Sequence, residues 1–349
     1  MSIKVLEPKH KIAELIDVSH EKKADGFREH LGASLLGHPC DRYLWLCFRW
    51  AVSPNFPGRI LRLFRRGALE EETVISDLRL IGCKLQERQT GVDFGSFISG
   101  SCDGIIESGL PGHDDKRFVL EIKTHSKKSF DDLTKKGLYT AKEQHYIQMQ
   151  VYMHGLNINH GLYYAVCKDD DRIYTEIVQI DKALAEKYVS RGKKISMSDY
   201  MPEPLSADAS WYQCKMCHMH SFCHEQTLTK NVNCRTCALA TFTPDSKVLC
   251  ARHENAAIPG DFQRTGCSGH VLHPDLVFYD RIASINEFEA IYLIDGKQVR
   301  NGEPCANVFS SKEIIADPHA CSTPDNVIDD LREFCEGRIV SAEESLFKD

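Results

Sequence analysis

Gly100-Ser101-Cys102-Asp103-Gly104-Ile105-Ile106 and, one turn later, Phe118-Val119-Leu120-Glu121-Ile122-Lys123 are the stretch on which the reading of this chain depends. Residues 97–106 lean apolar and read as a strand bending at Gly100 and Gly104, with Asp103 near its end. Residues 118–124 alternate cleanly and read as a second strand. Successive side chains of a strand face opposite ways, so Phe118, Leu120 and Ile122 share one face while Glu121 and Lys123 share the other. Two carboxylates and a lysine around one point are costly unless something there uses them. Paired carboxylates suit a hard divalent cation such as magnesium or manganese. A lysine beside that cation can orient an attacking water or stabilise charge on a phosphate. The chemistry these residue types fit is metal-assisted hydrolysis of a phosphodiester.

Downstream, Gln148-Met149-Gln150-Val151-Tyr152 lies in a helical pattern over residues 140–156, and a spacing of four puts Gln148 and Tyr152 on one helix face. With these residues in place the chain resembles the RecB-like branch of the PD-(D/E)xK nucleases over about residues 30 to 226. The resemblance implies that Asp103 and Glu121 hold the catalytic metal, that the Ile122 carbonyl between the two strand-face residues adds a ligand, and that Lys123 positions or activates water. Gln148 and Tyr152 then orient substrate or lysine. It also implies a Gly-xxx-His or Gly-xxx-Glu helix supplying one more group. Gly67-xxx-Glu71 fits that spacing and makes Glu71 the choice among Glu70, Glu71 and Glu72, where relatives carry histidine.

Length and composition set the frame. At 349 residues there is ample chain for one large domain or two to three smaller ones. Hydrophobic residues at 42% and charged residues at 27% are ordinary for a globular protein. A net charge of −7 does not advertise a nucleic-acid binder, although a global charge says little about one groove. The start, Met-Ser-Ile-Lys-Val-Leu-Glu, lacks a signal-like apolar core, and no apolar run approaches the roughly 18 residues of a membrane span. An intracellular, cytoplasmic protein with no membrane partner is expected. In that compartment fifteen cysteines read as metal ligands and small buried residues, not as disulfides. No Gly-x4-Gly-Lys-Ser/Thr loop occurs, so no nucleotide cofactor is expected.

Along the chain, residues 1–30 look helical and charged. Pro39 opens a helix whose apolar stripe is Tyr43, Leu44, Cys47 and Phe48. Residues 59–80 form a strong helical pattern, preceded and entered by Arg59, Arg62, Arg65 and Arg66, which either neutralise phosphates or decorate the helix. Residues 84–106 and 116–124 give central strands with a turn at 109–115. Lys127, Lys128, Lys135 and Lys136 occupy a polar stretch expected as a basic loop, facing either a DNA backbone or solvent alone. Residues 161–168 and 172–180 read as two strands, followed by a helix over 181–195. The order helix–strand–strand–strand–helix–strand predicts an α/β domain with a mixed sheet flanked by helices.

Cys214-Lys-Met-Cys217-His-Met-His-Ser-Phe-Cys223 is a Cys-x2-Cys-x5-Cys run that calls for a metal. Zinc with a fourth ligand from His218, His220 or His224 fits, as does an iron–sulfur cluster with a distant fourth thiolate. The resemblance chooses between them. The nuclease part of AddB and the CRISPR-associated RecB-like exonucleases carry one early cysteine and then this same run, together holding a 4Fe–4S cluster. Cys40, with Cys214, Cys217 and Cys223, reproduces that layout, including Cys40-x-Arg42. Such a cluster staples the early helix to the end of the domain, a cross-link worth on the order of 5 kcal/mol of unfolded-chain entropy. A second group, Cys234, Cys237, Cys250 and Cys267, has zinc-ribbon-like spacing, with His253, His270 and His273 nearby and His270 as the substitute ligand. Cys305, Cys321 and Cys335 are widely spaced and read as packing residues.

The sequence therefore predicts a RecB-like nuclease domain over residues 1–228, a zinc-binding module over 229–275 and a C-terminal α/β segment over 276–349 with a strand at 290–294 and a helix around 324–337. The expected activity is a metal-dependent DNA exonuclease working from ends, with single-stranded DNA as substrate. Magnesium or manganese, a 4Fe–4S cluster and zinc are the expected cofactors. The rival reading is a non-catalytic DNA-end-binding or adaptor subunit alongside recombination, repair or CRISPR-adaptation proteins.

Overall fold

A computed structural model describes residues 11–23, 26–54, 56–86, 90–286 and 288–323. The expected helix around 324–337, Cys335 with it, lies outside the described residues. The chain divides into two compact units that interleave along the sequence. One takes the chain up to Gly26, then Pro54–Asp93 and Gly100–Tyr188; the other takes Phe27–Ser53, Phe94–Ser99 and everything from Val189 on. The sequential three-part division expected from the sequence thus differs from the observed one.

In the first unit, α1 (Ile12–Glu21) lies against α2 (Gly58–Leu80). Glu21 accepts the N–H of Gly58 at 2.7 Å, and Arg62 pairs with Asp17. A side chain at Gly58 would collide with the Asp17 backbone at 2.3 Å, so glycine is what lets the two helices meet there. The sheet follows in chain order: β1 (Lys84–Gln86), β2 (Gly104–Ser108), β3 (Phe118–His125), β4 (His160–Cys167) and β5 (Ile173–Gln179). Its junctions are antiparallel except β3–β4, which is parallel and needs a crossover. That crossover is helical: α3 (Lys127–Lys136), a single turn at Leu138–Ala141, and α4 (Glu143–Leu156). The mixed α/β architecture expected from the sequence is present.

One face of β3 carries Phe118, Leu120 and Ile122 into a core with Val74, Ile75 and Leu78 of α2, and with Leu162, Tyr164 and Val166 of β4. The other face meets α4. A side chain at Gly161 would come within 2.6 Å of Met149, so α4 sits close over the β3–β4 junction. The expected strand over 97–106 is broken: Ile98–Ser101 and Gly104–Ser108 are separate strands, and Asp103 sits in the break. The expected basic loop is the helix α3, whose buried Phe130 and Leu133 form an i, i+3 apolar pair that the surrounding lysines obscure in the sequence. Two of those lysines are paired, Lys127 with Asp170 and Lys136 with Asp132.

The second unit is built on the helix Asp41–Phe48 and two small antiparallel sheets, Ala240–Phe242 with Val248–Cys250 and Ala256–Ala257, and Asp280–Asn286 with Glu289–Ile294 and Lys297–Asn301. At its centre lie two buried arginines. The Arg235 guanidinium stands 4.2 Å from the Trp50 ring and 4.8 Å from that of Phe48, and donates to the carbonyls of Glu29 and Phe48 and to Gln263. Arg49 stacks on Phe242 at 4.5 Å and donates to the Ser198 carbonyl. Buried cations kept by aromatic faces and carbonyls are a polar core that tolerates little change. The residues expected as a separate zinc module and tail share one hydrophobic core, from Val271 and Leu272 through Tyr292 and Ile294 to Ile314 and Cys321. Among the described residues no helix is long and apolar enough to cross a membrane.

Candidate active site

The site is made by the point at which β2 stops. The β2–β3 pairing ends at Gly104 opposite Leu120, so the next inward-facing residue of β3 along that edge, Ile122, has no strand partner on that side. Its N–H is taken by the Asp103 carboxylate at 2.7 Å. N–H and C=O of one strand residue leave on the same edge, so the Ile122 carbonyl emerges beside Asp103. Glu121 and Lys123 flank it on the opposite face from the α2 core, as the alternation predicts.

Glu121 is wholly buried. Lys123 is ion-paired with its Oε1, while its Oε2 has no hydrogen-bond partner. Burial is the main force on this carboxyl and pushes it up to about 8; Lys123 opposes that, and Asp103 and Glu71 add to it. Asp103 is raised by burial too, against the pull of Lys123 and the Ile122 N–H. Burial drags on the Lys123 ammonium, but Glu121, Asp103 and Glu71 outweigh it and hold Lys123 above the ordinary range. Glu71, on α2, is thus within electrostatic reach of both. On α4, Gln148 and Tyr152 are buried and hydrogen-bonded to each other, and the Tyr152 hydroxyl is raised by burial and then by Glu121 and Asp103. Asp103, Glu121, Ile122 and Lys123 adjoin one another, while Glu71 and Tyr152, the latter with Gln148, lie within electrostatic reach of the carboxylates.

Reading from sequence missed some neighbours. Cys102 is buried beside Asp103, donates to the Gly104 carbonyl at 3.4 Å, and is pushed up to about 12 by burial with help from Glu121 and Asp103. His125, Tyr163 and His145 form a buried polar chain on the same sheet face. Nothing in their spacing gives this away, because the three come from β3, β4 and α4.

Cys40, Cys214, Cys217 and Cys223 line one cavity in the second unit, with His38, Tyr43, His220 and His224 around them. The Cys40 sulfur accepts the Tyr43 N–H and the Cys217 sulfur the Met219 N–H, both at 3.4 Å. Arg42 hydrogen-bonds Cys223. Burial pushes Cys223 up to about 11. Cys47, absent from the sequence reading as a site residue, is pushed up to about 12 by burial and also feels Cys217 and Cys40. In the second cysteine set, Cys234 is pushed up to about 12 by burial and then by Cys237, Cys267 and Cys250. Cys237 accepts the N–H groups of Leu239 and Val271 at 3.5 and 3.4 Å. His270 is a poor substitute ligand: its Nδ1 contacts Ser311 at 2.7 Å and its Nε2 faces the Asn233 carbonyl at 3.1 Å. Both nitrogens are occupied within the core.

Among the described residues no group of three or more His, Cys, Asp or Glu side chains is arranged to hold a single metal ion. The donor chemistry nevertheless suits metals. A buried carboxylate with one unpartnered oxygen beside a second carboxylate suits a hard cation. Cysteine sulfurs lining one cavity suit a thiophilic metal.

No protein-family description matches the chain, and no curated protein does. Among solved structures it is similar to an alkaline exonuclease, LHK-Exo, from Laribacter hongkongensis, at 15% identity and a TM-score of 0.36, covering 52% of this chain and 90% of that one. The same enzyme in complex with dAMP gives 16% and 0.37. A phage-related exonuclease from Haemophilus somnus gives 22% and 0.27 over 37% of this chain and 67% of that one. At these TM-scores the likenesses carry no argument, and the case stays with the residues.

Proposed function

We propose that this chain is a divalent-metal-dependent deoxyribonuclease that hydrolyses phosphodiester bonds from DNA ends, with single-stranded DNA as the favoured substrate. The observation that carries the reading is Glu121: a fully buried carboxylate with an unpartnered oxygen, set against Asp103 and Lys123. Left without a cation, such a group is costly; a cation relieves it. Asp103 and Glu121, with the Ile122 carbonyl and Glu71, are the residues that would hold magnesium or manganese. When bound, that cation would polarise the scissile phosphate and ease deprotonation of the attacking water. Lys123 stays protonated between the carboxylates and presents its ammonium toward the same phosphate region. Gln148 and Tyr152, hydrogen-bonded to each other, orient substrate or lysine from the helix side.

The same reading assigns Cys40, Cys214, Cys217 and Cys223 to a 4Fe–4S cluster and Cys234, Cys237, Cys250 and Cys267 to zinc. What supports the cluster is the single cavity that Cys40, Cys214, Cys217 and Cys223 line, and what supports zinc is the spacing of the other four cysteines. Cysteine thiols release protons when a metal binds, and the metal supplies the attraction that draws the sulfurs together. Conserving the fold is the role proposed for both, not electron transfer.

The test is a nuclease assay of purified protein in manganese or magnesium, with chelator as control, on end-labelled linear DNA and covalently closed circles. Release of short products from linear single strands, with circles spared, is expected. Protein with a full cluster that releases nothing from any linear substrate favours the adaptor reading, and cutting of closed circles overturns exonucleolytic action.

A further inference from the structure

Tyr163 is buried on β4 directly opposite Glu121 of β3, and in a parallel pair opposed residues share a face. Its hydroxyl lies between two imidazoles, His125 Nε2 at 2.9 Å and His145 Nδ1 at 2.9 Å. His125 is on β3 two residues beyond Lys123, and its Nδ1 meets Ser129 of α3 at 3.0 Å. His145 is on α4, three residues before Gln148 and seven before Tyr152, which places all three on one side of that helix. A phenol has one proton, so it donates to one ring and accepts from the other, and each imidazole is fixed in tautomer by that choice. The hydroxyl therefore ties together the strand that carries Glu121 and Lys123 and the helix that carries Gln148 and Tyr152. Phenylalanine would fill the same volume, so packing alone does not call for the oxygen. Burial lowers both histidines, to about 4 and about 3, so both rings are neutral at ordinary pH and the chain is held by hydrogen bonds, not by charge.

We propose that Tyr163, clamped by His125 and His145, is the positioning residue of the nuclease site, holding Glu121 and Lys123 in register with Gln148 and Tyr152. The proposal rests on the nuclease reading and adds a device to it. A displaced supporting group commonly costs about 10- to 100-fold in metal affinity or turnover.

The experiment compares Tyr163→Phe, His145→Ala and His145→Asn with the parent protein in two measurements: kcat and KM on single-stranded DNA, and manganese binding by electron paramagnetic resonance. For Tyr163→Phe a fall in kcat of about 10- to 100-fold is expected, with KM within about twofold and manganese binding weakened about tenfold. His145→Asn, whose amide reaches the Nδ1 position, should recover most of what His145→Ala loses. A merely structural role would lower melting temperature in all three without the kcat–KM split or the asparagine rescue. If the parent protein cuts DNA and Tyr163→Phe cuts equally fast, the clamp is overturned and the nuclease reading stands. If the parent binds manganese but cuts nothing, the manganese titration of Tyr163→Phe decides alone. A parent that neither binds manganese nor cuts overturns both.

Discussion

Glu121 shows what a buried carboxylate costs a fold. A carboxyl at zero exposure, with a lysine on one oxygen and nothing on the other, is held above the usual carboxylate range by its burial. The native state thus retains a proton that the unfolded chain loses between about pH 4.5 and about pH 8. Because the native state binds more protons in that window, stability falls as pH rises through it. Glu121→Gln removes the charge and keeps the shape. In chelator at pH 8 it should be more stable than the parent by roughly 1–3 kcal/mol while losing all cleavage. Thermal unfolding in chelator checks this, and a variant less stable than the parent would count against a destabilised metal-binding carboxylate. Asp103→Ala and Lys123→Ala should also abolish cleavage yet keep DNA binding, since phosphate contacts do not depend on these side chains alone. That Glu121 and Lys123 share a face was legible in the sequence because a strand has a strict period of two; Asp103, which lies between two strands, is not placed by that period.

At the scale of elements, legibility follows the reach of the interaction. The helix Gly58–Leu80 and the strands His160–Cys167 and Ile173–Gln179 lie close to their expected positions, since each is set by local periodicity. The helix Lys127–Lys136 was masked, because only Phe130 and Leu133 mark its buried side. The histidine–tyrosine clamp and the two buried arginines were invisible, being assembled from residues far apart in sequence. His270 belongs to this class: spacing offered it as a zinc ligand, whereas its two nitrogens join Asn233 to Ser311 across the second unit. Burial lowers it to about 4. The unfolded chain then binds the extra proton between pH 6.5 and about 4, so stability contributed by neutral His270 is present above 6.5 and lost as pH falls through that window. The loss is of the order of 3 kcal/mol by about pH 4. Unfolding of the parent should show this positive slope, and His270→Gln should flatten it. An unchanged slope would mean that His270 is not a major titrating group of the unit.

Over the whole molecule the chain is not strung out as successive modules; Phe27–Ser53 folds with the segment from Val189 onward. Cys40 opens the helix Asp41–Phe48, and the cavity it lines is completed by Cys214, Cys217 and Cys223 from much later in the chain. The backbone N–H groups of Tyr43 and Met219 point at the Cys40 and Cys217 sulfurs. A cluster held by these four would bind the native state and not the unfolded one, and so would stabilise the unit by linkage. Protein prepared without air should be brown, with about four iron and four sulfide per chain. Cys217→Ala should bleach it and lower the unfolding temperature, whereas Cys234→Ala should release zinc and leave the iron in place. The two sets share no residue, so iron and zinc should be lost independently in metal analysis of the two variants. Anaerobic protein carrying zinc but no iron at Cys40, Cys214, Cys217 and Cys223 would replace the cluster with a mononuclear site. In that case His218, His220 or His224 would return as alternatives to Cys40 for the fourth ligand.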